Sequence, residues 1–350
     1  MELSVLQICL LSVLLVGVFV LPLSVHKVEE NLETFLFCCG VTAVSISHVW
    51  SWPLVEAALK DPIKITLAVL IAGFLFRQFN TPLQHITQKA VAKIGLRWTM
   101  FLIVCILGLV SSLITAIIAA LVLAEVVVML PLVREQRVKL VVLACFSIGM
   151  GAVLTAIGEP LGTIVISKLS GAPHHAGFFY LIEHVGWFVL AGILLMGILA
   201  ARLKAGKHAP GEHAADTRED RSFKSILMRT AKVYLFVMAL VLLGDGLKPF
   251  ALRTVSHLSE NWLYWINSVS AVLDNATLAA IEVTPEISDR SLTFLLMSLI
   301  LSGGMMIPGN IPNIICASKL GIKSKEWVKN ALGLGAAMMA GFFVLLHIVL

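Results

Sequence analysis

The stretch SAVLDN, Ser270–Asn275, sets an aspartate and an asparagine in the middle of an apolar run that is otherwise long enough to cross a membrane. Polar side chains and unpaired backbone are costly in hydrocarbon, so they persist there only where protein or a water-lined cavity surrounds them. Three companions accompany it: IPGNIPN at Ile307–Asn313 and, in the first half of the chain, SSLIT at Ser111–Thr115 and TAIGEP at Thr155–Pro160. Each half thus carries one polar cluster inside an apolar run and one glycine–proline break in the run that follows. That duplication points to a solute site near the membrane midplane, where two repeats meet.

The rest of the chain supplies the membrane context. Of its 350 residues 59% are hydrophobic and 13% charged, and the mean hydropathy is +0.95, whereas a soluble domain carries roughly 25% charged residues. The fold class expected is an all-α polytopic membrane protein. Apolar runs fall near 3–21, 32–50, 63–79, 98–131, 138–169, 177–201, 229–247, 261–286, 291–319 and 329–350. The first has no basic residue before it and no small-residue cleavage pattern after it, so it reads as a retained span and not a signal peptide. The six cysteines lie within apolar runs without metal-ligand spacing and read as packing residues. The net charge of +5 sits mostly in loops, where it reports orientation and argues against nucleic acid as a partner.

Two runs, 98–131 and 261–286, have their polar cluster near the middle and read as re-entrant hairpins, with the cluster at the tip. If both re-enter and every other run crosses once, all but Lys60, Lys64, Lys168, Lys248, Arg253 and Arg290 of the 26 Lys and Arg fall on one face. By the positive-inside rule that face is cytoplasmic. The first hairpin then enters from inside, the second from outside, and both chain ends lie outside. Opposite entry sides are what an inverted repeat requires, although that requirement played no part in assigning them. The hydrophilic segment 202–224, with His208 and His213, reads as a cytoplasmic linker. The organisation expected is additional spans over 1–62, a first repeat over 63–201 (hairpin 98–131, broken helix 138–169), the linker 202–224, and a second repeat over 225–350 (hairpin 261–286, broken helix 291–319). Laying GEPLGTIVISKLS, Gly158–Ser170, over GNIPNIICASKLG, Gly309–Gly321, supports the repeat: it pairs the glycines, Ile164 with Ile315, and Ser-Lys-Leu with Ser-Lys-Leu.

Hairpin tips and helix breaks expose carbonyls and N–H groups together with the partial charges of half-helix ends, which suit a hard cation, an anion, or both. Asp274 and Asn275, with Thr277 just beyond, are the first candidates for ion ligands; the competing reading of Asp274 is that it caps the second half-helix. Glu159 is the counterpart in the first repeat, placed in a Gly-Glu-Pro break where it is able to exchange a proton for a metal ion, against the alternative that it is solvated near the outer surface. Asn310, which aligns with Glu159, and Asn313 offer amide oxygens. Ser111, Ser112 and Thr115 form the first tip, which has no carboxylate, and Thr155 is a weaker candidate. Glu125, on an outgoing arm, reads either as a proton relay or as a snorkelling side chain. Glu282, followed by Glu286 and Asp289, reads as part of an acidic outer vestibule. Asp245 reads as a cap at the end of its span, and the pair His174–His175 as an external loop with no further metal-ligand partner in the sequence.

The pattern of SAVLDNATLAA, residues 270–280, followed by GGMMIPGNIPNIICASKLGI, residues 303–322, resembles the NhaD-type sodium/proton antiporters and arsenite permeases of the ion transporter superfamily. More narrowly, it resembles a prokaryotic family of short cation-transporter-like members. The resemblance covers residues 60–350 and is most specific in the second repeat. It implies an inverted-repeat homodimer with an elevator-like transport domain, and it carries ion-binding roles to Asp274, Asn275, Thr277, Asn310 and Asn313. The first tip departs from the pattern: Thr115-Ala116 stands where many relatives have Asp-Asn or Asn-Thr, which leaves fewer ligands for a symmetric pair of cations. Those relatives divide between cation exchangers and sodium-driven anion carriers.

The expectation is therefore a secondary cation transporter that exchanges Na+ for H+ by alternating access, with Asp274 and Glu159 alternately protonated and metal-bound and Na+ at Asp274, Asn275 and Glu159. The alternative is a Na+- or H+-coupled carrier of anions or organic acids, which the absence of an arginine near the site disfavours without eliminating. Leu243–Asp245 lacks the glycine that an intramembrane aspartyl protease requires, and there is no Walker motif, so neither an enzyme nor an ATP-driven pump is expected. The partners expected are membrane lipid and a small inorganic ion. No cofactor beyond Na+ is expected, and the location is a prokaryotic inner membrane.

Overall fold

The structure, a computed structural model, describes residues 3–204, 223–255, 259–273 and 275–350. Asp274 and most of the linker, including His208 and His213, lie outside the described residues. The described residues form helices and no strand. In chain order they are α1 (Val5–Ser24), α2 (His26–Glu30), α3 (Leu32–Ser47), α4 (Trp52–Ile114), α5 (Ala116–Val128), α6 (Arg134–Ala152), α7 (Pro160–Lys168), α8 (Tyr180–Ala201), α9 (Phe223–Val255), α10 (Glu260–Ile266), α11 (Asn275–Glu282), α12 (Asp289–Gly303), α13 (Ile311–Leu320) and α14 (Ser324–Val349).

Among the described residues, five helical segments are long and apolar enough to cross a membrane: Val5–Ser24, His85–Ile114, Tyr180–Ala201, Thr230–Arg253 and Ser324–Val349. Their outer faces are apolar, as lipid demands and water does not: Val13 of α1, Trp187 of α8 and Ile348 of α14 are all largely exposed. The chain is a helical membrane protein. Its polar surface is turned inward, where Ser111, Ser147, Ser270, Ser298, Ser302 and Asn313 are completely buried.

The long helix α4 differs from the sequence reading, which separated a span at 63–79 from a hairpin starting at 98. The backbone stays helical from Trp52 to Ile114, with non-helical angles only at Gly95 (φ 79°, ψ 159°). The intervening HITQKAVAKI, residues 85–94, is polar but made mostly of residues that tolerate a helix. Charge alone does not end a helix. Gly95 does, because its positive φ is open to glycine at little cost.

Each half then runs through the same succession. In the first, α4 reaches Thr115, where φ is 75°, and the chain returns as α5, packed on α4. α6 follows, stops at Ala152 and resumes as α7 at Pro160. In the second, α10 continues into a 3-10 stretch, Asn267–Ala271, and the chain returns as α11. α12 follows, stops at Gly303, makes a 3-10 turn at Ile307–Gly309 and resumes as α13 at Ile311. The stop-to-glycine spacing is the same in both: Ala152 to Gly158 and Gly303 to Gly309.

The halves interlock. α5 packs on α13, and α11 packs on α7, so the returning arm of each half lies against the second half-helix of the other. α3 and the front of α4 pack on α9 to one side of this body. α14 closes it: Trp327, fully buried, donates through Nε1 to Gly304 O at 3.1 Å, and Tyr264 OH of α10 donates to Met339 O at 2.8 Å. Asp245, read from sequence as a cap at the end of its span, stands inside α9, ten residues before its end at Val255.

Candidate functional site

An interrupted helix leaves carbonyls at the first stop and N–H groups at the restart, and these need partners. In the first half the partners come from the turn between α4 and α5. Ala116 N donates to Gly158 O at 2.9 Å, which docks the tip on the break. Thr155 Oγ1 donates to Ser112 O at 2.5 Å and accepts from Ile157 N at 3.2 Å. Ser111 Oγ shares its proton between Gly108 O (2.6 Å) and Ile148 O (3.0 Å), which joins α4 to α6. Ser112 Oγ donates to Leu109 O at 2.8 Å.

Thr115 Oγ1 accepts from Ile118 N at 3.4 Å and so caps α5. Its positive φ is uncommon for a β-branched residue and stores strain at this turn. A Cβ on Gly158 would run into the Ala152 carbonyl, so no side chain fits there. The structure therefore brings Ser111, Ser112, Thr115 and Thr155 together around one break. Their hydroxyl protons go mainly to main-chain carbonyls, and the oxygens keep lone pairs. Glu159 follows immediately and is buried at 6% exposure, which removes the reading of a solvated surface carboxylate.

The second break is built from amides. Asn313, with no exposure, donates through Nδ2 to Gly303 O (2.9 Å) and Met306 O (2.8 Å), taking up carbonyls that the end of α12 leaves open. Its Oδ1 is buried with no hydrogen-bond partner among the described residues. Asn275, the first residue of α11, is likewise buried, and its Nδ2 has no partner among the described residues. It lies 3.6 Å from where a Cβ of Gly303 would stand, so Asn275 and Asn313 both adjoin Gly303. Gly309 is pressed among carbonyls, its would-be Cβ 2.5 Å from Gly303 O and 2.8 Å from Ser270 O.

Asn310 takes the position before α13 with φ −155° and ψ 147°, close to the φ −157° and ψ 164° of Glu159 before α7. Its Nδ2 approaches to 2.5 Å from a would-be Cβ of Gly149, which carries it from the second half onto α6 of the first. Thr277 lies apart from this group, with Oγ1 2.8 Å from the would-be Cβ of Gly244 in α9. Asp274, placed between Leu273 and Asn275 by the chain, lies outside the described residues.

The chemistry on offer is neutral oxygen and amide, with Glu159 as the described carboxylate and the N-terminal ends of α5, α7, α11 and α13 all starting at a tip or a break. Oxygen donors of this kind suit a hard monovalent or divalent cation, and the helix ends lend positive potential to balance carboxylates or hold an anion. Among the described residues no group of three or more His, Cys, Asp or Glu is arranged to hold a metal ion.

Other acidic residues gain partners that the sequence does not show. Glu125 forms an ion pair with Lys319 of α13. Glu282 is not in an outer vestibule with Glu286 and Asp289, which are exposed. Asn267 Nδ2 donates to its Oε2 at 3.0 Å, and its Oε1 is buried. Sequence reasoning missed this contact because Asn267 and Glu282 are 15 residues apart, on opposite arms, and meet only when the chain turns back. His174 and His184 both approach Asp289 Oδ1, at 3.4 and 3.3 Å, and His174 Nδ1 lies 2.9 Å from Tyr180 OH, so His174 gains partners from outside its own pair.

The chain belongs to the family described as Protein of unknown function (DUF1646), whose model matches residues 8–349. No curated protein matches it.

Proposed function

We propose that this protein is a secondary active transporter of cations that exchanges Na+ for H+ by alternating access. The observation that carries the reading is the pairing of breaks: two interrupted helices with the same stop-to-glycine spacing, each joined to a polar turn, with Asn310 of one reaching the helix before the other. Soluble folds satisfy such backbone with water, whereas a membrane protein keeps it only where it is buried in protein or lines a water-filled cavity. In this reading the turns at Thr115 and before Asn275 are re-entrant hairpins, the halves are inverted repeats, and α5, α6, α7, α11, α12 and α13 move as one elevator-like body. The interlock of α5 with α13 and α11 with α7 supports that unit, because neither half can move its broken helix without the other's hairpin arm.

Na+ is held by Asp274, Asn275, Asn313 and main-chain oxygens of the second break, with Asn310 of the same break and Glu159 of the first bordering it. The hydroxyls of Ser111, Ser112, Thr115 and Thr155 shape the opposite side. Thr277 supports the tip against α9. The functional unit is a homodimer in the prokaryotic cell membrane, with both chain ends outside and the linker inside.

Binding of radiolabelled Na+ to the purified protein tests the site. Saturable binding that Asp274→Asn and Asn313→Ala each abolish supports the reading; equal binding by wild type and both variants contradicts it. Uptake of a labelled anion driven by Na+, with no proton movement, would favour an anion carrier.

A further inference from the structure

We infer that Glu282 is the proton-binding group of the exchange, on a site separate from the helix breaks; this rests on the transport reading above. Glu282 closes α11, the returning arm of the second hairpin. Asn267, 1% exposed on the other arm, gives one amide proton to Glu282 Oε2 and the other to Ser298 Oγ of α12, both at 3.0 Å. Ser298 in turn donates to Leu295 O at 2.8 Å. The donors of this small network are thereby used, and Glu282 Oε1 is left buried without a hydrogen-bond partner among the described residues.

Glu282 is among the residues that line a small apolar pocket of about 50 Å³, walled by Leu15 of α1, by Leu247 and Phe250 of α9, and by Val269, Leu273 and Leu278 of the hairpin. Among the described residues, no hydrogen bond or ion pair joins a charged group to the Glu282 carboxyl. α1 and α9 present only apolar residues to the cavity. From α7, the Lys168 ammonium goes to the carbonyls of Ala280 and of Val283, the latter at 2.9 Å, and not to the carboxylate. α12 offers Ser298 alone.

A buried carboxylate with one neutral donor is an uncompensated charge, and a proton on Oε1 removes it. Binding forms the acid O–H bond with a proton from hydronium and leaves neutral water; release reverses both, so the side chain alternates between neutral and negative without any other reactant. The first half is built differently: Glu125, also on a returning arm, has Lys319 as its permanent counter-charge. One returning arm therefore carries a neutralised carboxylate and the other a carboxyl that only a proton neutralises. This asymmetry gives a one-proton site within a two-fold architecture.

The test compares the full-length protein and Glu282→Gln in proteoliposomes, reading Na+-driven proton movement and, separately, exchange of radiolabelled Na+ against unlabelled Na+. The inference expects Glu282→Gln to lose the proton movement while keeping Na+/Na+ exchange. Proton movement equal to wild type in Glu282→Gln overturns it, and the transport reading survives. Absence of both fluxes in the wild type overturns the transport reading and this inference with it. If Glu282→Gln loses both fluxes, infrared spectroscopy of the wild type against Glu282→Asp decides: a protonated-carboxyl C=O band that shifts in the variant supports the site, and an unchanged spectrum overturns it.

Discussion

Lys319 of α13 pairs with Glu125 of α5 across 194 residues of chain, and Lys168, its counterpart in the Ser-Lys-Leu alignment, grips the last carbonyls of α11. The two lysines do the same mechanical job by different chemistry: each ties the second half of a broken helix to the returning arm of the other half. One uses a carboxylate, the other a helix C-terminus, where a cation is favoured by the unpaired carbonyls. The pairs hold together the four short elements that no single span could stabilise.

A double-mutant cycle on Glu125→Gln and Lys319→Met follows from this. Both side chains are more than four-fifths buried, at 14% and 19% exposure. Each single variant takes the opposite charge away from a largely buried one and is expected to cost about 2 kcal/mol, with the double variant recovering at least about 1 kcal/mol of the summed loss. Thermal unfolding in detergent measures this, and strictly additive losses would show that the pair is not coupled.

Gly158→Ala and Gly309→Ala are expected to destabilise the protein by about 1–3 kcal/mol each, because a methyl group meets the Ala152 carbonyl in one case and the Gly303 and Ser270 carbonyls in the other. Gly333→Ala in α14 is the control. Nothing lies within 4 Å of its would-be Cβ, so alanine there is expected to leave stability unchanged or raise it by up to about 1 kcal/mol. Equal melting temperatures for all three variants would mean that the breaks are not closely packed.

Thr115→Gly removes a side chain from a φ of 75°. Relief of the strained backbone is worth about 1–2 kcal/mol, and exchanging threonine for glycine as the cap costs only a few tenths. The variant is expected to be the more stable protein and the poorer transporter, since the relaxed tip no longer holds Ala116 N against Gly158 O. Higher stability with undiminished transport would show that the strain serves no purpose in the cycle.

Much of this architecture is legible in the residues. Polar clusters within apolar runs located both turns and both breaks to within a few residues, because only Gly, Pro, Asn and hydroxyl residues make irregular backbone tolerable at membrane depth. The alignment of Gly158 with Gly309 found a glycine pressed against main-chain carbonyls in each break. What stayed hidden depended on contacts between distant segments. Lys89, Lys93 and Arg97 read as a loop, yet a helix carries charge on a solvated face without breaking, and only Gly95 interrupts it. Glu282 read as surface because Glu286 and Asp289 follow it; its burial comes from Asn267 on the facing arm. Glu125 read as a relay or a snorkelling side chain; its partner lies in the other half of the chain, which no local pattern reveals.

Asn313→Leu separates the structural and ligand roles of the second break. Removing the amide leaves Gly303 O and Met306 O without their donor, each a loss of about 1–3 kcal/mol. Asn313→Asp keeps an oxygen but not the donors and is expected to be destabilised similarly, while retaining Na+ binding better than the leucine variant. Identical Na+ affinity in both variants would remove Asn313 from the ligand set.

The central claim, that the paired breaks form a cation exchanger, is tested most directly in proteoliposomes with an internal pH dye, by adding Na+, K+, Li+ and Ca2+ in turn to wild type and to Asp274→Asn. The account predicts cation-dependent proton movement in the wild type, with Na+ effective, and none in Asp274→Asn. No proton movement with any cation, or the same movement in both proteins, would contradict it.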